Sequence, residues 1–246
     1  IVFGDWSSDV CSSDLMLNDI KCADCHAQIH TLASWKGEKK KAVETCTGCH
    51  DDHADYLESS HGQGVLAGNP DSAACHDCHN LHEIKPVGDV NSKENREFHT
   101  SVCLKCHADE EMMARNGVFN VAVKTYMDSY HGKNYRLGYP ELVAGCADCH
   151  TSHNVLPASD VKSSVNEENL VATCAVCHEK ATPLFTMYYS HGSHDKDKYP
   201  ILYYTFVAMT TLLVTTFAVF WIHSLLWMFR GFVENREKKQ IGRAHV

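Results

Sequence analysis

Six copies of one five-residue pattern could do chemistry in this chain. They are Cys22-Ala-Asp-Cys25-His26, Cys46-Thr-Gly-Cys49-His50, Cys75-His-Asp-Cys78-His79, Cys103-Leu-Lys-Cys106-His107, Cys146-Ala-Asp-Cys149-His150 and Cys174-Ala-Val-Cys177-His178. In such a pattern the two thiols bond covalently to the vinyl groups of a haem, and the adjacent His reaches the iron as proximal ligand. The spacing puts both sulfurs on one helical turn, with the imidazole beneath the ring. A lone C-x-x-C pair would also suit zinc or dithiol redox chemistry. Neither needs a His after every second Cys, and the motifs together use every cysteine except Cys11. The reading is therefore six covalently attached c-type haems, with no cysteine left for a structural disulfide.

The motifs come in doublets, and the doublets repeat. The second and third superpose at one offset: 146 − 75 = 71 and 174 − 103 = 71. His82, Pro86, Asp89, Val90, Ser92, Asn95 and Glu97 fall on His153, Pro157, Asp160, Val161, Ser163, Asn166 and Glu168. The first doublet, Cys22 to His50, is a looser copy. Each doublet is trailed by a Ser-His-Gly element ending at His61-Gly62, His131-Gly132 or His191-Gly192. Gly after the His predicts a left-handed turn at a helix end, with the imidazole projecting from it.

A sixth ligand on each iron separates an electron wire from an enzyme. Ten further histidines lie between residues 16 and 198: His30, His53, His61, His76, His82, His99, His131, His153, His191 and His194. The repeat selects His82 and His153, three residues past a proximal His, with His30 as their looser equivalent and His53 as its rival. It also selects His61, His131 and His191. Residues three apart on a helix face the same way. His82 and His153 are therefore expected to serve a neighbouring haem, not that of their own motif. His99 aligns with Leu170 and lacks repeat support, and His76 reads as solvated.

Positioning falls to short polar segments. At about thirty residues per haem the chain cannot build a conventional apolar core, and the haems would have to serve as one. The expected fold is mainly α: a haem-packed multihaem cytochrome c with little regular secondary structure, plus one C-terminal transmembrane helix. Ile201 to Phe229 is almost wholly apolar and long enough to span a bilayer. Tyr203, Tyr204, Trp221 and Trp227 suit interfacial belts, and Arg230, Arg236, Lys238 and Lys239 place the far side in the cytoplasm. His223 within the span is a candidate ligand to a b-type haem or a group at a quinone site. The basic run from Trp35 to Lys41 reads as a solvated turn. A net charge of −9 argues against a nucleic-acid partner and suits a cationic redox partner.

Both termini read as foreign. Asp5 to Leu15 and Ile241 to Val246 back-translate to mutually reverse-complementary strings, resembling a sequencing adapter read as coding sequence. The expected organisation is residues 1–15 adapter-derived, 16–198 a periplasmic hexahaem domain, 199–230 the membrane helix, 231–240 a cytoplasmic basic tail and 241–246 adapter-derived.

The C-x-D-C-H-x-x-H and Ser-His-Gly repeats resemble the multihaem cytochromes c of the cytochrome c3-like, doubled C-x-x-C-H group. The end, His223-Ser-Leu-Leu-Trp-Met-Phe-Arg230, is similar to the membrane segment that follows such domains and often leads into a cytochrome b. The resemblance implies a bacterial inner-membrane protein with its haems in the periplasm. Electrons would pass between the quinol pool, or a cytochrome b partner or downstream domain, and periplasmic electron carriers; oligomers are compatible with it. Two alternatives differ in class. One is a reductase or oxidase of nitrite, hydroxylamine or a sulfur oxyanion, which needs an open iron; the other is a subunit of a polymeric cytochrome wire. No C-x-x-C-K variant motif occurs, and the supply of spare histidines favours saturated irons.

Overall fold

The computed structural model describes residues 19–26, 38–81, 84 and 92–244. Among them there is helix and turn but no strand, as the mainly α expectation requires. The chain divides into two units, residues 1–191 and 192–246.

In chain order the α-helices are α1 (Cys22–Cys25), α2 (Lys39–Thr47), α3 (Ser60–Leu66), α4 (Cys75–His79), α5 (Lys93–His107), α6 (Glu110–Arg115), α7 (Ala122–Asp128), α8 (Tyr130–Arg136), α9 (Cys146–His150), α10 (Leu170–Ala175) and α11 (Pro200–Ala244). The two motifs of a doublet use helix in opposite ways. First motifs open a helix: α1, α4 and α9 each begin at their first cysteine. Second motifs close one, at the C-terminal ends of α2, α5 and α10.

The aspartate of each first motif explains why so short a helix forms. Its carboxylate accepts the backbone N–H just before the first cysteine, which the helix leaves unpaired. Lys21 N donates to Asp24 Oδ2 at 2.7 Å, Ala74 N to Asp77 Oδ2 at 2.8 Å and Gly145 N to Asp148 Oδ2 at 2.6 Å. Directly after the proximal histidine, Asn80 (φ 63°) and Thr151 (φ 65°) turn left-handed and stop the helix.

The Ser-His-Gly elements correct an expectation. They open helices instead of ending them. Ser59 Oγ accepts from Gly62 N (3.0 Å) at the start of α3, and Ser129 Oγ from Gly132 N (3.2 Å) at the start of α8. Both serines are buried N-caps. The glycine is required by crowding. A Cβ on Gly62 would lie 2.1 Å from Tyr56 O, and one on Gly132 would lie 2.1 Å from Tyr126 O. Those tyrosines tie the element to the next motif: Tyr56 OH donates to Ala73 O (2.6 Å) and Tyr126 OH to Ala144 O (3.0 Å). Around His191 the pattern is lost, and residues 188–199 contain no helix.

The helix-like stretch Glu110 to Tyr130 is also divided. Gly117 adopts φ 68° just past α6, and this left-handed turn separates α6 from α7.

The apolar core of the first unit is thin. Among the described residues only seven apolar side chains are buried, four of them, Val43, Tyr56, Val65 and Ala74, in one cluster. That is too little burial to offset chain entropy over such a length.

Helix α11 alone is long and apolar enough, among the described residues, to cross a membrane. Its apolar stretch, residues 201–229, would extend roughly 43 Å at the α-helical rise, against a hydrocarbon core of about 30 Å. The helix runs on through the basic stretch after Phe229, where Arg230 Nε meets Glu234 Oε1 at 2.7 Å.

Replacing Gly132 with Ala should lower unfolding stability by about 1–3 kcal/mol, the scale of core overpacking. Ser129→Ala should cost about 1 kcal/mol through the lost cap. Denaturant midpoints of the two variants check both; a Gly132→Ala midpoint equal to wild type would mean the tyrosine carbonyl yields.

Candidate haem-binding centres

An imidazole nitrogen bonds a metal at about 2.0–2.1 Å, and about 1.1 Å more leads to the ring centre, so two imidazoles on opposite sides of one metal have centres roughly 6.2 Å apart. The structure repeats that spacing across the doublets. Ring centres are 6.1 Å apart for His79 and His153, 6.0 Å for His107 and His61, 6.2 Å for His150 and His191, and 6.3 Å for His178 and His131. Each pair joins one motif histidine to one non-motif histidine far away in sequence. His153 stands beside the motif histidine of the preceding doublet, while its own neighbour His150 faces His191.

His50 behaves differently. His53, three residues on, lies 6.3 Å away with ring planes 18° apart, and His53 is also 4.2 Å from His153. His50 lies just before a 3-10 helical stretch, Asp51–Glu58, with φ −102° and ψ 63°, so it and His53 are not three apart within one regular helix. His30 and His82 lie outside the described residues, as does the side chain of Cys22; the partner of His26 is therefore not among the placed pairs.

The donor set tests what these pairs could hold. No group of three or more His, Cys, Asp or Glu side chains could bind a bare metal ion among the described residues. Two imidazoles leave most of a metal's coordination unfilled, and a macrocycle anchored by the motif cysteines would supply the rest. The described motif cysteines carry no disulfide. A haem fits: thioether attachment on one side, and two axial nitrogens.

Electrostatics favour the ligand form, since imidazole binds metal when neutral. Burial pushes His150 down to about 4, helped by nearby His191 and His107. Burial also lowers His61, His79, His107 and His131. His191 has its tautomer fixed. Its Nδ1 lies 3.0 Å from Ala122 O and 3.1 Å from Thr125 Oγ1. A carbonyl can only accept, so Nδ1 carries the proton and Nε2 is left for a metal.

The attachment cysteines form an unbroken series from the second motif to the sixth. The neighbouring thiols of Cys46 and Cys75 shift each other, Cys46 downward and Cys75 upward. Cys103 and Cys146 shift each other in the same way, Cys146 downward and Cys103 upward. Within the second doublet, burial raises Cys78 to about 11, with Cys103 and Cys106 adding to the shift. Within the third, burial raises Cys149 to about 11, with Asp148, Cys174 and Cys177 adding. Successive motifs are thus neighbours in space.

The remaining histidines fall elsewhere. His76 lies 3.7 Å from Asp77 and His99 3.5 Å from Asp148, and neither faces a motif imidazole. His194 stacks on Phe206 at 4.0 Å. His223 is exposed on α11. Sequence reasoning missed two supporting sets. One is the Ala122 and Thr125 contact to His191. The other is Lys39 and Arg96, which reach the motif aspartates of the following doublet; a basic residue seven before the second-motif cysteine was its only signal.

Comparison with known proteins adds a family. The model for outer membrane cytochrome MtrC/MtrF-like domains II/IV matches residues 15–192. The chain is 32% identical over 93 residues to the multiheme cytochrome MtrA of Shewanella baltica, covering 37% of this chain and 25% of the relative. It thus spans about a quarter of that protein's length. No solved structure matches.

Replacing His153 with Met should alter the low-spin spectrum of the haem on Cys75 and Cys78 and leave that on Cys146 and Cys149 unchanged. Site-resolved NMR of the ligand methyl resonances reads this. A change confined to the Cys146 site would overturn the pairing.

Proposed function

The chain belongs to the outer membrane cytochrome MtrC/MtrF-like, domains II/IV family, and from that premise we propose a membrane-anchored wire that passes electrons between the quinol pool and periplasmic or outer acceptors. Covalently bound c-type haem and electron transfer go with the family. The anchoring, the direction and the partners are our reading.

One observation carries it. Four motif histidines each have their ring centre 6.0–6.3 Å from that of an imidazole distant in sequence. An iron held by both imidazoles of such a pair would have no coordination position left for substrate. Haem, when bound, supplies reversible one-electron chemistry at iron. The chain's own residues would hold it: the motif cysteines would anchor it and the paired imidazoles would bind its iron, with burial favouring the neutral form of His61, His79, His107, His131 and His150. The series of adjacent cysteines supports transfer from site to site. An open cleft of about 450 Å³ lined by Cys177, His178, Glu179, Lys180, Ala181 and Phe185 makes the sixth motif the proposed port for exchange with a partner.

Helix α11 supports a membrane placement. A single apolar helix suits an inner membrane, since outer-membrane spans are closed β-barrels. Arg230, Arg236, Lys238 and Lys239 beyond the span favour a cytoplasmic C-terminal side, so residues 16–198 lie in the periplasm. His223 on the exposed face of α11 is the proposed contact for a quinol, or for a b-type haem shared with a cytochrome b partner.

Low-temperature EPR of the fully oxidised protein tests the wire. Every ferric haem is expected to be low-spin. A stoichiometric high-spin signal that responds to nitrite or hydroxylamine would reassign the protein as a reductase or oxidase. Protease treatment of spheroplasts should remove the haem unit; an intact haem unit after treatment would reverse the topology.

A further inference from the structure

Two junctions between successive doublets are built alike. At the first, Lys39 Nζ lies 3.0 Å from Asp77 Oδ2 and donates to Ser72 O at 2.8 Å. At the second, Arg96 donates from Nη1 to Asp148 Oδ1 (2.5 Å), and from Nη2 to Asp148 Oδ2 (2.8 Å) and Val143 O (2.7 Å). The registers coincide. The cation stands seven residues before the second-motif cysteine: 46 − 39 = 7 and 103 − 96 = 7. The acceptor carbonyl stands three before the next first-motif cysteine: 75 − 72 = 3 and 146 − 143 = 3. Seven residues are two helical turns, so cation and cysteine share one face of α2 or α5.

The same face carries two of the most buried side chains of the unit. Val43 (2% exposed) and Thr100 (0%) hold the equivalent position, three before the cysteine. They meet the residue just before the next motif: Val43 clusters with Ala74, and a Cβ on Gly145 would lie 2.4 Å from Thr100 Oγ1. Cys75 packs against the same cluster as Val43, and Cys46 with Cys75, and Cys103 with Cys146, lie near enough across these junctions for each to shift the other's ionisation.

We propose that Lys39 and Arg96 are positioning residues that clamp each doublet to the next and fix the approach of the two attachment cysteines across which electrons pass. The motif aspartate has two jobs: it caps its own short helix and receives the cation of the preceding doublet. Asp24 separates them, since it caps Lys21 N in an exposed setting with no clamp described. The third doublet shows the converse. Its register position is Glu167 (174 − 7 = 167), exposed and outside any helix, and α10 starts only at Leu170. Where no further doublet follows in the chain, cation and clamping turn are both missing. Arg holds the carboxylate with two parallel bonds and Lys with one, and the pairs are largely shielded from water, with 15% and 20% side-chain exposure for Arg96 and Asp148.

The proposal rests on the electron-transfer reading for its consequence, but not for its geometry. The test uses the full haem-loaded chain carrying Arg96→Gln, Arg96→Lys or, as a surface control, Arg115→Gln, which breaks the exposed pair with Asp71. Amide exchange of residues 143–150 is expected to rise roughly ten- to hundredfold in Arg96→Gln, the scale of a lost charge-assisted hydrogen bond. The magnetic interaction between the haems on Cys103 and Cys146, read by EPR of the oxidised protein, is expected to weaken with it. Arg96→Lys should retain both, because Lys39 does the same work next door. Unchanged exchange in Arg96→Gln overturns the clamp. Faster exchange with an unchanged magnetic interaction overturns the positioning role. A wild-type mass without covalent haem would instead refute the electron-transfer reading, and the exchange data would still decide the clamp.

Discussion

Opposition of two imidazoles across a gap of about 6 Å governs this fold, because a helix cannot satisfy it from neighbouring residues. A histidine shortly after a proximal ligand points the same way as that ligand while the helix lasts. The second nitrogen must then come from another part of the chain. His153 reaches back to the second doublet and His61 reaches forward to it. Short capped helices follow from this requirement. Long helices would bury apolar stripes on each other, whereas here the chain has to deliver side chains singly, from ends and turns.

Local chemistry makes such delivery reproducible. A helix of five residues is below the length that propensity can support. The motif aspartates supply a cap, and Asn80 and Thr151 supply the stop. The Ser-His-Gly helices use a serine cap and a glycine pressed against a tyrosine carbonyl. The imidazoles of His61, His79, His131 and His150 therefore leave from short helices fixed by a cap or a stop.

Much of this was legible in the sequence, and the losses have physical causes. Attachment motifs, doublets, spare histidines and the apolar segment are local patterns. The offset of 71 between doublets also pointed to histidines serving other motifs. Ser-His-Gly was read as a helix end because glycine is common there; its need for space against Tyr56 O and Tyr126 O is tertiary. Gly117 gave no warning of the break it makes after α6. The pairing of His150 with His191 departs from the internal pattern and could not be read from it. Lys39 and Arg96 escaped because their third counterpart is Glu167, which hides the register from an alignment of like with like.

The exchange of histidines between doublets bears on how such arrays grow. On the proposed ligation the second doublet draws a ligand from each neighbour, His61 before it and His153 after it, while His150 at the far side takes His191 from its own trailing segment. A newly duplicated doublet would thus arrive with its own attachment cysteines but with borrowed axial ligands. Lengthening the array in one genetic step leaves internal sites supplied and rewires only the outermost one.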